Sequence, residues 1–161
     1  MKKLLPFAGF CATVLGIVAL ILIMATKSVG YINGNISYWY SGLIGLFGGT
    51  QDNASYAGTP GAIIAFVLLI VGIIAACAAS LLPLLKKFVN LAGWFGLVGC
   101  ACLIIAGILI FCEVPMFNGA VQPILEGNKL GGGWVVAGIL AIVGGAVALL
   151  PSLFAFLAKK K

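Results

Sequence analysis

Four long stretches of this chain contain no Asp, Glu, Lys, Arg or His, and that absence constrains the fold more than any motif. They cover residues 4–25, 61–85, 88–112 and 133–157. A helix needs roughly 20 residues to cross a hydrocarbon layer about 30 Å thick, and each stretch supplies them. In lipid the backbone N–H and C=O groups have no water partner, so each stretch is expected to be α-helical. The runs are continuously apolar, not alternating, which excludes a β-barrel. Composition removes the soluble alternative, because only 7% of residues are charged where a soluble domain carries about 25%. The sequence therefore predicts an all-α membrane protein, a four-transmembrane-helix bundle forming one domain over residues 1–161.

The net charge of +6 does not point to nucleic acid. Seven of the nine lysines sit in three clusters (Lys2 and Lys3, Lys86 and Lys87, Lys159 to Lys161), each abutting an apolar run and none on a water-soluble element. The partner they imply is the lipid bilayer. All three acids (Asp52, Glu113 and Glu126) fall on the other side. The positive-inside bias then places both termini and the Lys86-Lys87 turn in the cytoplasm of a multi-pass plasma (cytoplasmic) membrane protein. Two external loops follow, at about 26–60 and 113–132. The Met-Lys-Lys start resembles a secretory signal, but its apolar run is too long and lacks a small-x-small close, so an uncleaved first helix is expected.

Small residues recur every four positions: Ala8, Ala12 and Gly16; Gly72, Ala76 and Ser80; Gly96 and Cys100; Gly133, Ala137, Ala141 and Gly145. Each set lies on one helix face and lets another backbone approach closely. Gly16, Gly72, Ala76, Gly133, Ala137, Ala141 and Gly145 are the candidate packing positions, either within one bundle or, for the last helix, between copies. The second and fourth spans also share a pattern at an offset of 72, with Gly61, Ala65, Gly72 and Ala76 falling on Gly133, Ala137, Gly144 and Ala148. The first and third match more faintly, through Gly9 and Gly96 and through Ala19 and Ala106. Two hairpins of one orientation would make a parallel repeat; chance alignment of simple apolar sequences is the other reading.

The helix centres lack ionisable and carboxamide groups, whereas ion-coupled transporters keep such groups near mid-membrane. Histidine is absent and the carboxylates are scattered over two loops, so no general base stands by a nucleophile. The expectation is not an enzyme, with no cofactor and no metal. Glu113 reads as a boundary charge beside Cys112, and Trp134 as an interfacial belt residue. The five cysteines lie in the spans, where a disulfide framework is not expected.

The first loop is the richest segment. Strand-forming residues flank Asn33-Gly34, a dipeptide suited to a two-residue β-hairpin turn. Ser41 to Gly49 reads as a helical turn lying on the membrane surface, and 50–60 as polar and turn-rich. Tyr31, Tyr38, Trp39, Tyr40, Phe47 and Tyr56 give this loop six aromatics. They serve either to dock the loop or to recognise a partner, since Tyr and Trp are favoured at interfaces. Asn35-Ile-Ser37 and Asn53-Ala-Ser55 match the glycosylation triplet, though the lysine-only basic usage favours a bacterium.

Four spans, internal termini, a larger first loop with strand character, and Trp39 followed by Gly45-Leu46-Phe47 resemble the claudin-type tetraspan layout. The spacing here is shorter, Phe47 stands where that family has Trp, and the loop holds no cysteine pair. The stretch from Tyr40 to Gly48 is also similar to one found in uncharacterised four-span proteins of Gram-positive bacteria. The function expected is that of a structural, adhesion or assembly component acting through its external loops on a protein partner or as a homo-oligomer. The alternatives are a channel or transporter component, or a lipid-binding membrane protein.

Overall fold

The computed structural model of the chain describes residues 5–33, 36–51, 54–85, 89–120 and 127–158. In chain order the elements are α1 (Leu5–Ala25), β1 (Lys27–Asn33), β2 (Ile36–Ser41), α2 (Gly42–Phe47), β3 (Gly48–Gln51), β4 (Ala54–Ala57), α3 (Pro60–Leu81), α4 (Val89–Phe111), α5 (Glu113–Ala120), β5 (Asn128–Leu130) and α6 (Gly132–Ala158), with a 3-10 turn at Leu82–Leu85. The four long helices are each apolar and long enough to cross a membrane, and their ends agree with the predicted spans to within about one turn. The Lys86-Lys87 turn and the terminal lysine clusters lie outside the described residues.

The helices alternate in direction and close into a ring, α1 beside α3, α3 beside α4, α4 beside α6 and α6 beside α1. The ring is apolar inside and out. Val14, Ile21, Ile64, Ile74, Ile105, Ile108, Ile139 and Val143 are exposed on its outer faces, where lipid tails solvate them as well as a protein core would. Holding such helices together falls to close packing. The interior is accordingly small: Ala12, Ala19, Ala65, Ala76, Ala106, Ala137, Ala141 and Ala148 are all buried.

The contacts repeat under the offsets seen in the sequence. Gly9 on α1 lies against Ser80 Oγ and the Ala76 carbonyl of α3, while Gly96 on α4 lies against Ser152 Oγ and the Ala148 carbonyl of α6. Adding 87 to the first residue and 72 to the other two converts one set into the other. Gly72 meets Cys102 on α4, and Gly144 meets Leu15 on α1, again under the same pair of offsets. The two helical hairpins thus pack as a parallel repeat. The symmetry breaks at the centre of the bundle. Position 16 holds Gly and its equivalent, position 103, holds Leu; the fully buried Leu103 fills the centre against Gly16, Gly72 and Gly144.

At the end of the bundle that carries Lys27 and Lys129, the connections build a cap. β2, β1 and β5 form an antiparallel sheet in that order, and β3 and β4 form a separate hairpin. The predicted first hairpin is present as β1–β2, but its ladder closes with Asn33 opposite Ile36. Asn33 is therefore in the ladder and not in the turn; the two residues between lie outside the described residues. The second loop, 113–132, had no predicted secondary structure, yet it supplies both α5 and β5. β5 pairs with β1 through Val29–Leu130, Gly30–Lys129 and Tyr31–Asn128. The β3–β4 ladder likewise begins at Gly48, inside the expected helical turn, and continues through the stretch 50–60 expected to be turn-rich. α2 does more than lie on a surface. Ser41 caps its N-terminus, the hydroxyl accepting from Ile44 N at 3.3 Å. Its Gly42, Gly45 and Leu46 are buried, with Gly42 against the Ile23 and Thr26 carbonyls at the end of α1 and Gly45 against Ser28 and Trp134.

Candidate functional site

The cap divides the first-loop aromatics by role. Alternation along β2 sends neighbouring side chains to opposite faces. Tyr40, only 3% exposed, packs with Val29, Tyr38 and Val114, and its ring meets that of Tyr38 edge-on at 5.1 Å. Trp39 points to the other face and lies across Gly30, its cross-strand partner. Phe47 is 54% exposed and meets Phe66 edge-on at 5.3 Å. Phe66 lies about 9 Å down α3 from Pro60 at 1.5 Å per residue, so Phe47 reaches toward the lipid-facing wall. Tyr31 and Tyr56 fall in β1 and β4, their side chains outside the described residues. Among the described aromatics of this loop, Phe47 is therefore exposed, Trp39 half-buried, and Tyr40 serves the interior.

An outer strand is ordinarily a template for pairing with another chain. Here Gln51 closes β2. Its Nε2 donates to the Trp39 carbonyl at 3.1 Å, and its Oε1 accepts from Ser41 N at 3.4 Å. The side chain thus occupies the backbone groups that a neighbouring strand would use. Gln51→Val is expected to free that edge and increase β-sheet-mediated self-association, measurable by size-exclusion chromatography in detergent with infrared detection of intermolecular strands.

The residue that sequence reasoning misassigned most is Glu113. It is fully buried, not a boundary charge in contact with water. Thr59 Oγ1 lies 2.5 Å from Glu113 Oε1 and 3.3 Å from the Gly45 carbonyl. Thr59 is the N-cap of α3, yet its side chain makes no capping bond to its own helix; the hydroxyl is turned to Glu113 and α2 instead. Glu113 Oε2 has no hydrogen-bond partner among the described residues. Burial pushes the carboxyl pKa up to about 7, against the opposing pull of the Thr59 bond. Glu126, the other acid of the second loop, lies outside the described residues.

Trp134 also departs from expectation. It is 1% exposed and its Nε1 donates to the Ile23 carbonyl at 3.0 Å, so it is a core residue joining the start of α6 to the end of α1. Trp94, at the other end, is 61% exposed on the outer wall of α4. Beside Trp134, an open groove of ≈ 440 Å³ is lined by Ala25, Thr26, Lys27, Trp39 and Gly131 to Gly133.

The small-residue positions face inward within one chain. Gly16 lies against Ile73, Gly72 against Leu103, Gly145 against Ile104 and the Cys100 carbonyl, and Gly133 against Thr26; Ala76, Ala137 and Ala141 are fully buried. The long stripe on α6 is used by α1 and α4 and is covered before any second copy arrives. The cysteines are free thiols, and no group of three or more His, Cys, Asp or Glu side chains comes together among the described residues. No protein-family model matches the sequence, and no curated protein matches it significantly.

Proposed function

We propose that this is a non-enzymatic membrane component that assembles with a protein partner or a second copy of itself through its cap. In this reading the cap faces outside the cell membrane and both termini lie in the cytoplasm, because in the sequence the lysine clusters flank the other ends of the spans. One observation carries the proposal: the folded polar structure is concentrated in the cap, while the bundle beneath it is filled at its centre by Leu103. A preformed lid presenting Trp39 and Phe47 is suited to recognition, since little ordering entropy is lost on docking. Closure of β2 by Gln51 directs that docking to a face of the cap and away from strand addition.

The test is cross-linking in native membranes. Trp39→Ala combined with Phe47→Ala is expected to lower the cross-linked adduct by about tenfold, the loss of one or two interface anchors, with insertion unchanged. An adduct as abundant as that of the unaltered protein would refute the proposal. A second reading, lipid binding, draws on the groove beside Lys27 and Trp39, where an ammonium and an indole ring border an open depression. It expects a retained phospholipid in native mass spectrometry that is lost in Lys27→Glu.

A further inference from the structure

The buried carboxyl of Glu113 has no place in a docking surface, and its surroundings point to a different task. Three elements meet at Thr59: α3, which it caps; α2, through the Gly45 carbonyl; and α5, through Glu113, its first residue. Thr59 Oγ1 carries a single proton and faces two acceptors. If Glu113 is ionised, the hydroxyl can satisfy only one of them, and a hydroxyl turned to the carboxylate leaves the Gly45 carbonyl with only its long 3.5 Å bond from Thr59 N. If Glu113 is protonated, its Oε1–H donates to Thr59 Oγ1, whose own O–H donates to the Gly45 carbonyl, and both contacts are hydrogen bonds. Ionised, the group also leaves Oε2 as a buried anionic oxygen with no donor, an arrangement that a low-dielectric site strongly disfavours.

Among the described residues, no neighbour supplies a compensating charge. On the elements packed against it, the titratable groups are Lys27 and Tyr31 on β1, Lys129 on β5, Tyr38 and Tyr40 on β2, Cys112 just ahead of α5, Cys100 and Cys102 on α4, and Cys77 on α3. Lys27 and Lys129 are exposed, and the three cysteines on α3 and α4 lie further down the bundle. Among the described residues, Thr59 is the hydrogen-bond partner that holds the carboxyl.

We propose that Glu113 is a protonatable latch: carrying its proton it holds α5 and α2 onto the head of α3 through Thr59, and losing the proton it releases them. The raised pKa sets the sign. Below the ordinary carboxylate range both closed and open forms are protonated and the latch is at full strength. As pH rises toward 7 the open form ionises first, so closure weakens progressively until the closed form ionises too. An acidic surface tightens the cap and an alkaline one loosens it. The proposal stands on the cap's construction and is independent of what the cap binds.

Two readouts on the full chain in lipid nanodiscs test it. With three acids in the chain, the infrared band of a protonated carboxyl can be assigned by substitution. It is expected to persist from pH 5 and vanish with a midpoint near 7, and to be missing in Glu113→Gln. A band already lost at pH 5 would overturn the proposal. Hydrogen exchange of the α2 and α5 amides, corrected for intrinsic chemistry, is expected to speed up roughly a hundredfold between pH 5 and 8.5 and to stay flat in Glu113→Gln. Unchanged exchange in the unaltered protein, or an equal rise in the Gln variant, would equally overturn it. Should Glu113→Gln fail to insert, Thr59→Val serves in its place: it keeps the carboxyl band but removes the link, so the α2 amides are expected to exchange fast at both pH values.

Discussion

Trp134→Ala is expected to destabilise the protein by about 3–5 kcal/mol, the range for truncating a buried aromatic, when unfolding is followed by titrating SDS into detergent micelles. Two losses combine. The ring fills the core beneath α2 and beside Ile23, Ala62 and Ala137, so its removal leaves a cavity bounded by helix backbones that cannot readily collapse. Its Nε1–H also satisfies the Ile23 carbonyl, one of the last-turn carbonyls that α1 cannot pair within itself. Trp134→Phe keeps most of the ring and removes the donor, and is expected to cost about 1 kcal/mol, the net worth of one such bond. Equal losses in the two variants would mean that the hydrogen bond and not the packing joins α1 to α6.

Why Trp134 was misplaced from sequence explains much of what was and was not legible. Length and hydropathy report how far along a helix a residue sits, but rotation about the axis is read from an amphipathic stripe. A helix that is apolar all round has no stripe, so Trp134 at the head of α6 could face lipid or core with the same sequence. The spans themselves were legible, because crossing lipid imposes a length and a composition. The β1–β2 hairpin was legible for a local reason, strand-forming residues close to a turn dipeptide; its register was less so, since Asn33 can serve either as turn or as ladder residue.

The rest of the cap depends on distant pairs. β5 is a three-residue strand, Asn-Lys-Leu, that exists because β1 is there to pair with it, and nothing in its own composition announces a strand. Thr59 and Glu113 are 54 positions apart, and each alone reads as ordinary: a helix cap and a boundary acid. The repeat lies between these cases. Its offsets were faintly present in the residues, and what the structure adds is that Gly9 with Ser80 and Gly96 with Ser152 make the same contact.

That repeat turns Leu103 into the most informative position in the bundle. Leu103→Ala is expected to cost about 2 kcal/mol, less than the same change in a water-soluble core. In lipid the truncated side chain stays in an apolar medium whether or not the helices associate, so the transfer contribution nearly cancels and the cavity term remains. The cavity has no filler, because the facing positions are Gly16, Gly72 and Gly144 and have no side chains to move in. If the bundle is the solid support of an assembly protein, this variant unfolds at lower SDS and liposomes containing it leak no more ions than empty ones. Flux appearing in Leu103→Ala would instead identify Leu103 as the plug of a conduction path. The repeat makes a sharper demand. Positions 16 and 103 are equivalent, and so are Ile73 and Gly145, so moving the leucine to the other hairpin (Gly16→Leu with Leu103→Gly, and Ile73→Gly to vacate the space beside it) is expected to regain a substantial part of the stability lost in Leu103→Gly alone. If the exchanged protein is no more stable than Leu103→Gly, the two halves are alike in outline only, and the centre of the bundle is built for a leucine arriving from α4.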